Sequence, residues 1–193
     1  MRVRIAAAWL AASAITLSLA GPVSAQQPAP ANDQAAPVRY SAQQFFETTS
    51  FSMASPDGIA FSADGRSLLI NSDASGVFNL YLLPVAGGEP TALTRSPDHA
   101  FNAESFFPDG ERVLYSADQG GNELDHLYVR MADGTVRDLT PGENLKAEFH
   151  GSSADGRTFF VATNERNPEM FDVYAYDAHT YERRLVFENE GLL

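Results

Sequence analysis

The fold is decided by residues 106–115, which read Phe-Phe-Pro-Asp-Gly-Glu-Arg-Val-Leu-Tyr. Two apolar runs flank an Asp-Gly pair, which is a strong hairpin signal, and a type I′ turn would need positive φ at both central residues. Equivalent Asp-Gly pairs stand at Asp64-Gly65 and Asp155-Gly156, so successive pairs are 45 and 46 residues apart. The stretch therefore indicates one copy of an internal repeat.

Other landmarks keep the same spacing. Tyr81, Tyr128 and Tyr174 are separated by 47 and 46 residues, and a leucine recurs at positions 93, 139 and 185. Each copy contains four short strand patterns: one before the Asp-Gly pair, a nearly continuous apolar one after it, one with the tyrosine and one ending near the leucine. Four strands in roughly 40 to 50 residues are typical of a β-propeller blade.

The sequence thus predicts an all-β fold, an incomplete β-propeller of about three four-stranded blades with a 46-residue repeat. The blades are predicted at about 52–97, 98–143 and 144–190. In the first copy we expect the first strand at residues 59–61, and in the third copy we expect the fourth strand at residues 181–185. Known propellers use about four to eight blades, so three cannot close a ring, and we expect this chain to be the first part of a longer protein.

The beginning of the chain resembles an export signal. Arg2 and Arg4 precede an uncharged apolar stretch at residues 5–19, and Val-Ser-Ala at 23–25 offers small residues for cleavage. A membrane anchor is the competing interpretation, but a spanning helix needs about 20 apolar residues. We therefore predict a signal peptide at 1–25, a flexible Gln-, Pro- and Ala-rich linker at 26–39 and a partial propeller at 40–193, exported to a bacterial periplasm or the exterior and free of the membrane after cleavage.

Composition narrows the function classes. The net charge is −12, and two of the 13 basic residues lie in the predicted signal peptide, so the exported part is still more acidic. Nucleic acid is an unfavourable partner because phosphate binding draws on clustered Lys and Arg, and Lys146 is the single lysine. The absence of cysteine excludes disulfides and thiol chemistry.

Several motifs carry a specific family resemblance. They are Tyr-Ser-Ala-Asp-Gln-Gly-Gly-Asn-Glu at 115–123, Asp-Leu-Thr-Pro-Gly at 138–142, and Asn-Glu-Arg-Asn-Pro at 164–168 followed by Phe-Asp-Val-Tyr at 171–174. Together they resemble the N-terminal propeller of secreted prolyl oligopeptidase-type (S9) serine peptidases, the acylaminoacyl-peptidase and dipeptidyl-aminopeptidase group. The repeats are also similar to Tol-type, WD40-like propellers.

The S9 resemblance implies a peptidase in which a second, α/β-hydrolase domain carries a Ser-Asp-His triad. The propeller would gate the access of peptide substrates and dock that domain, which is absent from this sequence. The alternative is a stand-alone periplasmic Tol-type propeller that acts as a protein-binding module. A reading frame that continues into a Gly-x-Ser-x-Gly segment would favour the peptidase.

No catalytic residue is predicted in this chain. A nucleophile elbow needs two glycines four residues apart around a serine, and Gly151-Ser152-Ser153 begins like one but has Asp155 at the closing position. The chain alone should therefore be inactive. His99, His126, His150 and His179 lack metal-ligand spacing, so we predict surface or strand-end histidines, no metal and no cofactor, with His150 as the position at which to test a channel metal.

The loop at 118–125 is the candidate binding segment. It contains two consecutive glycines and offers Asp118, Asn122 and Glu123 to a ligand. The competing interpretation is a Gly-rich connection in which Asp118, at the position of Asp73 and Asn164 in the other copies, caps its own backbone.

Two expectations concern packing. The residue four places before each Asp-Gly glycine is Phe61, Phe106 or Ser152, and the family usually has tryptophan at the last position, so copy three is expected to pack poorly. The ends of a three-blade stack should also expose apolar faces and self-associate. The residues expected to border those faces are Leu68, Leu80, Val85, Phe159, Phe160 and Val173.

Overall fold

The computed structural model describes residues 37–191. A compact unit begins at Ser41, and residues 37–40 lie outside it. The predicted signal peptide at 1–25 and most of the predicted linker lie outside the described residues. No helix within residues 37–191 is long and apolar enough to cross a membrane.

Among the described residues, one short helix precedes the strands. Helix α1 (Ala42–Phe46) is capped by Ser41, whose side chain accepts from the Gln44 backbone while the Gln44 side chain accepts from the Ser41 backbone. This reciprocal pair satisfies two amide groups at the start of the helix. All five helical residues are exposed.

Within residues 37–191, twelve strands form three four-stranded antiparallel sheets, each in consecutive strand order, which confirms the all-β class. The blade boundaries and the repeat length stay predictions. Sheet A consists of β1 (Phe51–Met53), β2 (Ser67–Ser72), β3 (Asn79–Pro84) and β4 (Thr91–Ala92). Sheet B consists of β5 (Asn102–Phe106), β6 (Val113–Ala117), β7 (His126–Arg130) and β8 (Val136–Asp138). Sheet C consists of β9 (Ala147–Ser152), β10 (Thr158–Asn167), β11 (Met170–Asp177) and β12 (Arg183–Phe187).

The repeated tyrosines occupy one register position in all three sheets. Tyr81 pairs with Ile70, Tyr128 with Tyr115, and Tyr174 with Val161. In each case the tyrosine on the third strand lies opposite the residue five places after the glycine of the Asp-Gly pair. The spacing in the sequence therefore corresponds to a structural equivalence between the sheets.

The turns at the Asp-Gly pairs form, but the type I′ prediction is wrong. Only the glycines have positive φ, at 68° for Gly65, 73° for Gly110 and 67° for Gly156. Each glycine N–H donates to the carbonyl three residues earlier, so the glycine is the fourth residue of the turn and the aspartate the third. The aspartate keeps negative φ and accepts a bond from the backbone two residues later, as Asp64 does from Arg66 at 3.0 Å.

These glycines also allow close approach between sheets. A Cβ added to Gly110 would lie 2.5 Å from the Cβ of Ala63 in the turn of sheet A. A Cβ added to Gly156 would lie 2.5 Å from Cγ of Pro108 in the turn of sheet B. Successive turns therefore pack directly against each other, which a larger residue would prevent.

Two predicted strands are displaced. Of residues 59–61, only Phe61 forms a bridge, to Leu68, because the segment before it leaves sheet A and bonds to sheet B. There the Ser55 N–H donates to the Ala103 carbonyl at 3.0 Å, and the Phe106 N–H donates to the Ile59 carbonyl at 2.8 Å. The strand predicted at 181–185 begins only at Arg183, because Tyr181 has a φ of 63° and belongs to a turn.

Two apolar clusters hold the three sheets together. One joins sheets A and B and includes Leu69, Leu80, Phe106 and Val113. The other joins sheets B and C and includes Leu114, Leu127, Val129, Phe149, Phe159, Val161 and Tyr176. The sheets thus pack face to face in chain order, as successive blades do.

The expected end faces need correction. Leu80 and Phe159 are fully buried, because their strand faces point towards sheet B rather than away from it. Val85 is exposed as predicted, and Leu68, Phe160 and Val173 are half-buried. Near-continuous apolar strands do not indicate which face meets a neighbour.

Ser152, the position at which copy three is expected to pack poorly, is exposed at the end of β9. This serine borders a cavity between sheets B and C of about 10 Å³, which Phe106, Phe149 and Phe159 also line. Such a volume holds at most about one water molecule. The exposed side chain of Ser152 borders solvent as well as this cavity, and poor packing of copy three stays a prediction.

Candidate functional site

The loop at 118–125 connects β6 and β7 and brings the three predicted binding residues together. Asp118 Oδ2 accepts from the Glu123 backbone at 3.3 Å. Asn122 Oδ1 accepts from the backbone of Gln119 at 3.2 Å and of Leu124 at 3.1 Å. Asp118 thus caps the loop, as the competing interpretation expected, and Asn122 caps it as well. The role of both residues in binding stays a prediction.

Glu123 differs from the other two. Its φ is 60°, in the left-handed region that non-glycine residues seldom adopt, and it is exposed. No hydrogen bond or ion pair of its carboxylate occurs within residues 37–191. Of the three predicted residues, Glu123 therefore offers the most accessible carboxylate to a cationic ligand.

Further carboxylates lie near this loop on neighbouring elements. Glu104 on β5 accepts from Ser116 Oγ at 2.7 Å, and burial raises the pKa of Glu104, with smaller contributions from the charges of Asp125 and Asp57. Burial also raises the pKa of Asp125. Partly desolvated carboxylates that repel one another favour a positively charged partner. Sequence reasoning missed Glu104, because a single glutamate within a strand carries no motif.

The histidines lie far apart in the fold: His126 and His150 are on strands, His99 is between β4 and β5, and His179 is in the turn between β11 and β12. His126 begins β7, a strand end as predicted, but it is buried, with Nδ1 2.9 Å from Oδ2 of Asp138. His150 lies on β9 with its side chain half exposed, and its Nε2 is 4.0 Å from Glu148. Among residues 37–191, no three His, Asp or Glu side chains are grouped as metal ligands.

The two serines weighed as nucleophiles belong to a strand end and a turn. Ser152 is the last residue of β9 and pairs with Phe159. Ser153 Oγ donates to Asp155 Oδ1 at 2.7 Å and accepts from the Thr158 backbone at 3.0 Å. In the described part of the chain neither serine hydroxyl bonds to a histidine, which a base-activated nucleophile would require.

Glu123→Gly should raise the free energy of unfolding by about 1 kcal/mol, because glycine adopts left-handed φ without the penalty of an L side chain. Urea denaturation measures this change. The matched control is Glu143→Gly, in an exposed turn where φ is not positive. The control should lower stability slightly, and a loss of stability in both variants would contradict a strained Glu123.

Comparisons with known proteins agree with this fold. No protein-family model matches the sequence. The chain is 28% identical over 125 residues to the probable dipeptidyl peptidase 4 of two Aspergillus fumigatus strains. That match covers 63% of this chain and 16% of the fungal protein, so the chain spans about a sixth of the length of these relatives.

Two solved structures share the fold. TolB from Acinetobacter baumannii superposes with a TM-score of 0.51 at 19% identity, over 70% of this chain and 32% of TolB. A structure from a study of two prolyl endopeptidases gives a TM-score of 0.52 at 15% identity, over 67% of this chain and 21% of that protein. At these identities the superpositions show the fold alone. The resemblance predicted from the sequence is thus confirmed as that of an S9-type or Tol-type propeller.

Proposed function

We propose that this chain is the non-catalytic N-terminal propeller portion of an exported S9-type serine peptidase. Its role would be to gate the access of peptide substrates and to dock an α/β-hydrolase domain. The observation that supports this role is the sequence similarity to a dipeptidyl peptidase in a chain that folds as successive face-packed sheets. The predicted signal peptide supports export.

The net negative charge of the chain supports a role in gating the access of peptide substrates. In a closed ring the first strands of the blades would border the central channel. Two of these strands, β5 and β9, carry Glu104 and Glu148, and the loop of Glu123 lies on the same sheet as Glu104. A channel lined by negative charge attracts peptides with a free ammonium group and repels acidic peptides. Asp118, Asn122 and Glu123 are the residues of this chain that we propose as peptide contacts.

The test is active-site labelling. The purified chain should be inert towards aminoacyl and acyl-peptide chromogenic substrates and unlabelled by a fluorophosphonate probe, because no serine has an activating base. A protein made from the reading frame that continues past codon 193 should be labelled and should cleave these substrates. Labelling of the short chain that disappears in Ser152→Ala or Ser153→Ala would overturn the proposal.

A second candidate is a Tol-type protein-binding propeller, which the superposition on TolB favours. The two candidates differ in the sequence that each expects beyond residue 193. Further blades without a Gly-x-Ser-x-Gly segment would support the binding module. A nucleophile elbow would support the peptidase.

A further inference from the structure

A groove runs between sheets A and B along their outer strands. One wall is the connection from β4 to β5, residues 93–101, and the other consists of the end of β7, the turn at Gly134 and β8. Its volume is about 540 Å³, within the range of about 300–1,000 Å³ that ligand-binding clefts have. The groove lies inside the stack of sheets, so neighbours beyond sheet A or sheet C would leave it in place.

Part of the groove is apolar and aromatic. The rings of Phe101 and Tyr115 line it 5.1 Å apart, and Tyr115 stacks on Tyr128 at 5.3 Å. Leu93 is half-buried in the groove, and Val136 is 52% exposed there. Such a surface is stabilised when an aromatic or aliphatic side chain covers it, and a few polar groups then fix the orientation of the ligand.

The polar group at the apolar part of the groove is the guanidinium of Arg130. This half-buried side chain is held in place, because Nε donates to the Leu93 carbonyl at 3.0 Å and Nη1 to the Met131 carbonyl at 3.3 Å. No hydrogen bond of Nη2 occurs among residues 37–191. A Cβ added to Gly134 would lie 3.5 Å from Nη2, so glycine at this position leaves that edge of the guanidinium uncovered.

Arg130 lacks the carboxylate partner that other partly buried arginines of this chain have. The paired arginines are Arg112 with Asp109, Arg166 with Asp172 and Arg183 with Glu165. Among residues 37–191, no ion pair involves Arg130 or the exposed Arg95 on the opposite wall of the groove. A partly desolvated guanidinium without a counter-charge favours an anionic partner.

Two acids near the groove are bonded to other groups. Asp98 lies 2.5 Å from Nδ1 of His99. Asp133, in the turn after β7, accepts from the backbone and hydroxyl of Thr135 at 2.9 and 2.7 Å. These bonds lower the pKa of Asp133, to which the charge of Arg130 makes only a small contribution. The free edge of the Arg130 guanidinium is therefore available to a carboxylate of another molecule.

We propose that this groove binds an acidic segment of a partner protein. A Glu or Asp carboxylate of the segment accepts from Nη1 and Nη2 of Arg130, and a neighbouring aromatic or aliphatic side chain packs on Phe101 and Tyr115. The argument is charge complementarity: in a chain with a net charge of −12, two unpaired arginines face each other across one apolar groove. The negative charge of the rest of the chain opposes longer polyanions such as nucleic acid.

This binding site goes beyond the proposed gating function and does not depend on it. The carboxylates proposed at the channel, among them Glu104 and Glu123, would repel an acidic peptide. A segment that binds at Arg130 is therefore a docking partner rather than a substrate.

Titration of the isotope-labelled chain with synthetic peptides, followed by NMR, tests the proposal. The probes are capped peptides Gly-X-Glu-X-Glu-Gly in which X is Phe, Tyr or Leu, and the matched peptides have Gln or Lys in place of Glu. We expect saturable shifts of the backbone amides of Arg95, Gly134 and Val136 with a Glu peptide. The Gln peptide should bind about 10- to 100-fold more weakly, because it lacks the charge that strengthens the hydrogen bonds to Arg130. The Lys peptide should not bind.

Two variants locate the binding site. Arg130→Gln should weaken binding of the Glu peptide by about 10- to 100-fold, because it removes the guanidinium. Val136→Glu adds a carboxylate to the groove at an exposed position, should weaken binding to a similar extent, and tests the site even if Arg130→Gln fails to fold. The matched control is Arg184→Gln, which removes an exposed, unpaired arginine of β12 and should bind like the unaltered chain.

Any of three results would overturn the proposal: no Glu peptide binds below about 1 mM, the Gln peptide binds as tightly as the Glu peptide, or folded Val136→Glu binds as tightly as the unaltered chain. Cooperative thermal melting verifies that each variant is folded. None of these results bears on fluorophosphonate labelling, so failure of the docking site and failure of the peptidase assignment are distinguished.

Discussion

Phe159→Ala should lower the free energy of unfolding by about 3–5 kcal/mol, the range expected when a buried aromatic ring is truncated. Phe159 is only 2% exposed. Its ring lies edge-on to Phe107 at 5.6 Å and stacks on Tyr176 at 5.1 Å, so it fills the centre of the contact between sheets B and C. Alanine would enlarge the small cavity beside Ser152 and remove both aromatic contacts.

The measurement is urea denaturation followed by circular dichroism. Phe46→Ala is the matched control, because Phe46 in α1 is 90% exposed, and we expect a change within about 0.5 kcal/mol. Comparable losses in the two variants would show that Phe159 does not hold sheets B and C together.

The repeat made the three sheets predictable. Asp-Gly pairs and tyrosines at a constant spacing specify where strands begin and which residues are equivalent, and Tyr81, Tyr128 and Tyr174 do share one register. Which face of each sheet packs on the neighbouring sheet was not predictable, because the second strands are apolar on both faces and lack an alternating pattern. This is why Leu80 and Phe159 were expected at the ends and are found in the core.

Predictions of local secondary structure were wrong where tertiary contacts determine the backbone conformation. Residues 59–61 read as a strand, but the bonds that Ser55 and Ile59 make to sheet B draw the preceding segment out of sheet A. A Cβ on Gly58 would overlap the carbonyl oxygen of Glu104, so this approach depends on glycine, and no local pattern signals it. In the candidate site the sequence located the loop of Asp118, Asn122 and Glu123. The sequence did not indicate Glu104, because only the pairing of β5 with β6 brings this residue close to the loop.

Asp172→Ala should cost about 3 kcal/mol, because it removes the buried partner of a charged pair. The Asp172 carboxylate is 1% exposed and accepts from Arg166 Nε at 2.6 Å, from Arg166 Nη2 at 2.8 Å and from the Asn189 backbone at 2.8 Å. The pair therefore ties the β10–β11 hairpin to the segment after β12. Without the carboxylate the Asn189 N–H loses its acceptor, and Arg166 keeps only its bond to the Asn189 carbonyl and its contact with Glu188.

The pH dependence distinguishes this ion pair from a simple loss of packing. The hydrogen bonds from Arg166 hold the pKa of Asp172 below its ordinary value of 3.8. The stabilisation by the carboxylate is therefore fully present above the unfolded pKa and declines as the pH falls through the lower folded value. The difference in unfolding free energy between the unaltered chain and Asp172→Ala should be constant near neutral pH and shrink below about pH 4.

Glu188→Ala removes an exposed carboxylate 3.6 Å from the same arginine and should cost less than about 1 kcal/mol at any pH. If the two variants lose equal stability, or if the loss in Asp172→Ala persists unchanged in acid, the buried charge of Asp172 is not what anchors the end of sheet C.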